Sequence, residues 1–284
     1  MPERPVHGSR LELHAATAER VAVVGIVNVT PDSFYDGGRY ASVERAVAHA
    51  LRLYDEGADW VDVGGESTRP GAAPVTRAEE SRRVLPVIEE LAKHTQRPIS
   101  VDTRRATVAE QALEGGASVV NAVAGLRDPG LARVCAEHGA LLILNHMRGE
   151  PRTMQAAPAY EDVVADVRRE LLEQAAQAQR AGVACERIWL DPGLGFGKDP
   201  IRHNLPLIAR LPELASAGFP IMVGPSRKSF LGKITGASVE ERLPGTLAAI
   251  TACVLAGASA VRVHDVRAAR EAILVAEAIR RAAL

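Results

Sequence analysis

Residues 257–264 read GASAVRVH. A glycine and an alanine open a short apolar run that carries Arg262 and ends at His264. Glycine just past a helix takes the left-handed conformation that ends it. The apolar run behind it reads as a buried strand. Side chains alternate across a strand, so Arg262 and His264 point the same way. The unit is helix, glycine turn, strand, then polar side chains at the strand's C-terminal end.

The unit recurs along the chain. Gly57-Ala58, Gly116-Ala117 and Gly139-Ala140 stand in the same place, with Gly182 and Gly218 in similar ones. Such repetition implies βα alternation throughout. Strands are expected near 21–27, 60–63, 98–101, 118–120, 140–144, 187–190, 220–223 and 259–263. Helices are expected near 42–56, 76–93, 104–115, 129–138, 160–181, 202–216, 238–256 and 265–282. Eight such pairs close a (β/α)8 TIM barrel, an α/β fold whose active site sits at the C-terminal strand ends. A doubly wound open sheet is the rival, but no GxGxxG follows the first run. At 284 residues the chain suits one barrel. Residues 1–20 read as a lead-in and 21–284 as the barrel domain.

Composition narrows the function classes. Hydrophobic residues make up 47%, enough for a large core. A formal charge of −1 argues against nucleic acid as a partner, so any anion site must be local. Cys135, Cys185 and Cys253 are odd in number and widely spaced, which fits buried thiols in a reducing cytoplasm better than disulfides or zinc. The N-terminal residues lack an apolar signal core. Thr246–Val261 reads as helix, turn and strand, not as a membrane span.

Polar residues end most of the strands: Asn28, Asp102, Asn121, Asp191, and Lys228 shortly after the seventh. A carboxylate accepts two parallel N–H bonds from a guanidine-like edge, so Asp102, Asn121 and Asp191 suit a flat heterocycle, with Lys228 donating to a ring carbonyl. The alternative is a set of buried carboxylates satisfied by backbone. Arg262 with His264 suits a phosphate or diphosphate leaving group. The strand alone leaves open whether Arg262 instead pairs with a structural carboxylate. In VGPSRKSF, residues 223–230, Ser226 and Ser229 flank Arg227 and Lys228 at an expected helix start, a place for a carboxylate-bearing substrate. Asn28 is a weak ligand that suits Mg²⁺ held mainly by substrate phosphate and water. Asp62 and Glu66 are candidates for metal ligands but read rather as loop hydrogen-bonding residues, and His146 faces the pocket or caps the fifth strand, the structural reading being preferred. The loops at 28–40 and 64–74 are rich in Gly and Pro and carry Phe34, Tyr35 and Arg69, so they read as long mobile lids after strands 1 and 2. No GxSxG or HExxH motif offers covalent or zinc chemistry.

These motifs together resemble dihydropteroate synthase: GIVNVTPDSFYDGG, DVGGESTRPGA, SVDTRRA, LDPGLGFGK, VGPSRKSFLG and VRVHDV, in order from about Val21 to the C-terminal helix. The resemblance implies a transferase of folate synthesis. It would condense 6-hydroxymethyl-7,8-dihydropterin diphosphate with 4-aminobenzoate in an SN1-like displacement, giving 7,8-dihydropteroate and diphosphate. By motif match Asp102, Asn121, Asp191 and Lys228 would hold the pterin. Asn28, Thr68, Arg262 and His264 would contact the diphosphate, with Mg²⁺ on Asn28. Phe34, Arg69, Pro70, Lys228 and Ser229 would shape the 4-aminobenzoate site, where sulfonamides compete. Asp36 would close over the chemistry, alongside Asn28, Asp102, Lys228, Arg262 and His264 as catalytic groups. The resemblance also implies a cytoplasmic homodimer with small-molecule substrates. Three positions depart from the family pattern: Tyr35 where Ser is common, Ala122 after Asn121, and Asn145 where the fifth strand often has Met. A pterin-binding methyl-transfer domain or a non-catalytic pterin-binding paralogue is the alternative. The first needs no diphosphate clamp, and the second needs no intact loops.

Overall fold

The computed structural model describes residues 20–30, 38–67, 74–150, 152–156 and 158–282. Phe34, Tyr35 and Asp36 on the first loop lie outside the described residues, as do Thr68, Arg69 and Pro70 on the second and nearly all of the lead-in.

Strands and helices alternate from end to end. The first half runs β1 (Ala22–Asn28), α1 (Gly38–Asp55), β2 (Trp60–Gly64), α2 (Arg77–His94), β3 (Ile99–Thr103), α3 (Ala106–Glu114), β4 (Val119–Ala122) and α4 (Gly130–His138). The second runs β5 (Leu141–Asn145), α5 (Val163–Arg180), β6 (Ile188–Asp191), α6 (Asn204–Ala209), α7 (Leu211–Ala215), β7 (Met222–Val223), α8 (Ser229–Thr235), α9 (Leu243–Leu255), β8 (Ala260–Val263) and α10 (Val266–Ala282). All pairings are parallel, in the spatial order β6-β5-β4-β3-β2-β1-β8-β7. The two ends of that order meet: Leu190 and Ile221 form a parallel bridge, and the Leu190 N–H donates to the Pro220 carbonyl at 2.9 Å. The sheet is thus a nearly closed eight-stranded barrel. All six junction glycines have positive φ, from 58° at Gly139 to 113° at Gly116.

Helix boundaries differ from the sequence reading where side chains compete for the first turn. α5 starts at Val163 because the Asp162 carboxylate accepts from the Val164 and Ala165 N–H groups at 2.9 and 3.2 Å. The helix expected over 202–216 breaks at Arg210, and Pro212 restarts it. The helix start expected in VGPSRKSF is that of α8, whose extent the sequence reading did not give. It follows the VGPSRK turn and ends at Gly236, φ 76°.

Two apolar cores follow from strand alternation. Outward strand residues such as Val61, Val101, Leu142 and Leu190 pack against the helices. Inward residues Ala22, Val24, Trp60, Val119, Leu141, Ile143, Trp189, Met222 and Ala260 fill the barrel, with the two indoles edge to face at 5.8 Å. That packed plug closes the lower barrel. Every strand but β7 continues upward by twos into a polar residue at its C-terminal end. Cys135 and Cys253 are buried as expected, whereas Cys185 is exposed in the short turn before β6.

Candidate active site

Counting by twos from the apolar plug gives the inward positions above it. They are Asn28 on β1, Asp62 on β2, Asp102 on β3, Asn121 on β4, Asn145 on β5, Asp191 on β6 and Arg262 on β8. One network joins four of them. Arg262 donates through Nε to Asp62 Oδ2 at 2.6 Å and through Nη2 to Asp102 Oδ2 at 2.9 Å. Asn121 Nδ2 donates to the same Asp62 oxygen at 2.9 Å. Asp62 is therefore an inward barrel residue at the centre of the site, not a loop residue. The parity from Trp60 was the sequence signal for it. Glu66 does play the loop role read for it: it accepts from the Val75 N–H at 3.1 Å and pairs with Arg104 and Arg105.

The strand alone left two readings of Arg262 open, and the geometry joins them. Nε and Nη2 are spent on carboxylates, while Nη1 makes no hydrogen bond to a described residue. One guanidinium can thus neutralise two buried acids and still offer N–H groups to an anion. The remaining oxygens point to a ligand as well. Asp62 Oδ1, Asp102 Oδ1, Asn121 Oδ1 and Asn145 Oδ1 are buried and have no hydrogen-bond partner among the described residues. Buried polar atoms are normally satisfied, so such a cluster marks a polar binding surface. Burial, and then the Asp62 charge, pushes Asp102 up to about 7.

Asp191 faces this network from the other side. Burial raises its pKa, opposed by the Gly193 N–H that donates to Oδ1 at 2.7 Å and by the Lys228 charge. Lys228 stands opposite, its Nζ 4.0 Å from the centre of the Phe196 ring. Its own pKa falls to about 8 through burial and the Arg262 charge, while Asp191 and Asp102 oppose the shift. The six groups therefore share one mouth. Val123, Ala124, Met147, Met154 and Phe196 form an apolar cluster beyond the strand ends, a fit surface for a flat ring.

The 192–198 loop that carries Phe196 is held from below by a group that sequence reasoning passed over. Lys198 is fully buried, and its Nζ donates to His146 Nδ1 at 3.0 Å, to the Phe196 carbonyl at 3.0 Å and to the His146 carbonyl at 3.3 Å. Three acceptors match three ammonium protons. His146 Nε2 lies 2.8 Å from Glu170 Oε2, which fixes it as the protonated nitrogen and leaves Nδ1 to accept. His146 is structural, as its sequence context suggested. Gly193 lets the loop press onto β5, since a Cβ there would come 2.0 Å from the His146 carbonyl oxygen.

His264 is tied to the β7 loop. Ser226 Oγ accepts from the His264 backbone N–H at 3.2 Å and lies 2.9 Å from Nδ1. Ser226 is buried and its side chain makes no other bond among the described residues, so its proton goes to Nδ1 and the ring proton sits on Nε2. Burial, then the Arg262 charge, pushes His264 down to about 4. A neutral imidazole thus presents an N–H donor. Ring ¹⁵N shifts of His264 are expected to report the Nε2–H form unchanged between about pH 5.5 and 7.5, roughly one unit either side of an ordinary histidine. A titration near pH 6.5 would contradict this assignment. Arg227, beside Ser226, turns away to form a two-point pair with Asp265 at 2.8 and 2.9 Å, leaving Lys228 as the cation directed into the site.

Asn28 is half-buried at the end of β1. Ser229 is exposed at the first turn of α8. Ala122 is fully buried among the outward strand residues, so the departure there lies on the far side of the strand from the pocket.

Comparison with known proteins agrees with this geometry. The family model described as pterin binding enzyme matches residues 24–264. The chain is 47% identical over 256 residues to a dihydropteroate synthase of Escherichia coli K12, covering 90% of each. A Xanthomonas albilineans dihydropteroate synthase solved with 4-aminobenzoic acid superposes with a TM-score of 0.86 at 47% identity, over 92% of this chain and 94% of that one. The same organism's enzyme solved in complex with 7,8-dihydropteroate gives 0.83 at 44% identity, over 92% and 94%. The chain belongs to the pterin-binding enzyme family and, within it, to the dihydropteroate synthases.

Proposed function

We infer that the chain is a transferase of folate synthesis. It condenses 6-hydroxymethyl-7,8-dihydropterin diphosphate with 4-aminobenzoate to give 7,8-dihydropteroate and diphosphate. The observation that carries this reading is the single mouth shared by a cluster of buried, unpartnered acceptors and by Arg262 and Lys228. In this reading Asp191 accepts two parallel N–H bonds from the pterin's guanidine-like edge. Asn121 and Asp102 take further ring contacts, and Lys228 donates to the ring carbonyl. Arg262 Nη1 and the His264 Nε2–H hold the diphosphate, with Thr68 and Asn28 as further contacts.

The reaction suits an SN1-like course. The methylene carbon–oxygen bond breaks with its electron pair going to diphosphate, and the arylamine nitrogen then forms the new bond and loses a proton. The protein's part is to neutralise the leaving charge and to hold both partners in line. Lys228 and Ser229 receive the aminobenzoate carboxylate. Phe34, Arg69 and Pro70 belong to that site by motif alone, as Asp36 does to the closing loop. Sulfonamides would compete there.

The described residues hold no group of three or more His, Cys, Asp or Glu that could bind a metal. The inward carboxylates Asp62 and Asp102 are engaged with Arg262. The single amide oxygen of Asn28 fits Mg²⁺ carried in on the diphosphate and otherwise coordinated by water. Mg²⁺ would supply charge neutralisation at the phosphates.

The reading places the enzyme in the cytoplasm as a homodimer. The dimer is supported by Leu255 on α9 and by Leu274, Val275 and Ile279 on α10, all exposed and apolar. No described helix is long and apolar enough to cross a membrane. Purified protein with Mg²⁺, the pterin diphosphate and 4-aminobenzoate is expected to release diphosphate and form dihydropteroate. Pterin binding without release would support the non-catalytic alternative instead.

A further inference from the structure

The chain contains four lysines. Lys93 and Lys233 are exposed. The other two both touch Phe196. Fully buried Lys198 holds its backbone carbonyl, and half-buried Lys228 stands over its ring, with Nζ 4.0 Å from the ring centre. Among the described residues Lys228 Nζ makes no hydrogen bond, so the ring is its support.

The loop between the two ammonium groups has little slack. On the β5 side, Cβ atoms on Gly193 and Gly197 would come 2.0 and 2.3 Å from the His146 and Arg148 carbonyl oxygens, so backbone lies directly on backbone. Gln155 Nε2 donates to the Gly195 carbonyl at 2.6 Å, and Tyr160 Oη to the Gly197 carbonyl at 2.9 Å. On the other side, a Cβ on Gly195 would come 3.2 Å from Lys228 Cδ. The Phe196 carbonyl, between those two anchored carbonyls, takes its bond from Lys198 at 3.0 Å. Burying an ammonium is costly, and an apolar side chain would fill the space without that cost. What the ammonium adds is a tie from the Phe196 carbonyl to the end of β5, where His146 supplies the other two acceptors. Three acceptors converging on one atom suit lysine and not the planar fork of arginine. We propose that Lys198 is a positioning residue for turnover: it pins the Phe196 backbone so that the Phe196 ring holds the Lys228 ammonium at the mouth. The effect on turnover rests on the reading of Lys228 as a substrate-binding cation.

¹³Cε-lysine spectra of the free, full-length protein read this geometry, since four lysines are few enough to assign by substitution. The Phe196 ring current is expected to place the Lys228 Hε signal upfield of Lys93 and Lys233. In Lys198→Met that signal should move back towards the two exposed lysines. The kcat/KM for the pterin diphosphate should fall about 10- to 100-fold, the scale for a group misplaced by about 1 Å. Phe196→Leu keeps all three Lys198 bonds and should give the same move with little change in melting temperature. Lys198→Gln makes the same comparison if the methionine variant does not fold. A Lys228 signal unchanged in the Lys198 variants would overturn the proposal at any melting temperature, because a purely structural lysine lowers stability and leaves the ring in place. So would a moved signal with the kcat/KM of the parent protein. Lys228→Met separates the two levels. If it turns over like the parent, the reading of Lys228 fails. If it is impaired and the Lys198 variants change neither signal nor turnover, only the role of Lys198 fails.

Discussion

Replacing Arg262 by alanine is expected to cost the folded protein about 3–5 kcal/mol and to reduce diphosphate release to near background. The argument begins with what the side chain leaves behind. Asp62 and Asp102 are both buried, and both take their hydrogen bonds from the Arg262 guanidinium. Without it, two carboxylates face each other in a site of low dielectric, with the Asn121 amide still donating to Asp62. Asp102 already sits near pH 7 with the arginine present, and losing the cation raises it further.

The sign of the pH dependence follows. A carboxylate whose folded pKa exceeds its unfolded value binds more protons when folded, so stability falls as pH rises between the two values. The deficit of Arg262→Ala should therefore be small near pH 5 and large near pH 8, values chosen roughly on either side of the Asp102 transition. Urea denaturation at both values measures it. A second substitution, Asp62→Asn, removes one stranded charge and should restore part of the lost stability without restoring activity. A variant equally stable at both pH values would mean that the acids do not depend on Arg262, and the shared neutralising role would fall.

How far the chain could be read in advance depends on the range of the physics involved. Every strand was legible, because glycine turns and buried apolar runs are local signals and parity within a run is strict. Their places at the strand ends put Asp102, Asn121 and Asp191 on one rim, and parity aimed Arg262 there with His264. It placed Asp62 there too, but the neighbouring GGEST loop drew the reading away. Lys198 was illegible for a different reason. Its three acceptors come from its own loop and from the end of β5, so only the folded contact shows why a lysine is buried there. The tautomer of His264 likewise depends on a serine 38 positions away. Only the start of α8 was legible, because a helix of two turns lacks the length for a periodic pattern. What survives from sequence is the element and its inward face, and what needs the structure is which inward groups neutralise one another.

Asp191→Asn should separate recognition from stability most sharply. In the free protein the carboxylate is held against its own preference: burial raises its pKa, and one oxygen is satisfied by the Gly193 N–H. The amide keeps that acceptor and sheds the charge, so the variant should melt at or above the wild-type temperature. Pterin binding should move the other way. One charge-assisted bond, worth about 1.5–3 kcal/mol, disappears, and the amide N–H₂ that replaces its acceptor meets a donor on the ligand. Affinity for the pterin diphosphate should drop by about 10- to 150-fold or more. Diphosphate contacts through Arg262 and His264 do not run through Asp191, so inorganic diphosphate should bind wild type and variant alike. Calorimetry with the two ligands reads both arms. A common loss for both ligands would point to a collapsed mouth. Unchanged pterin affinity would show that the buried acid on β6 serves the fold alone, and recognition would then have to rest on Asp102 and Asn121.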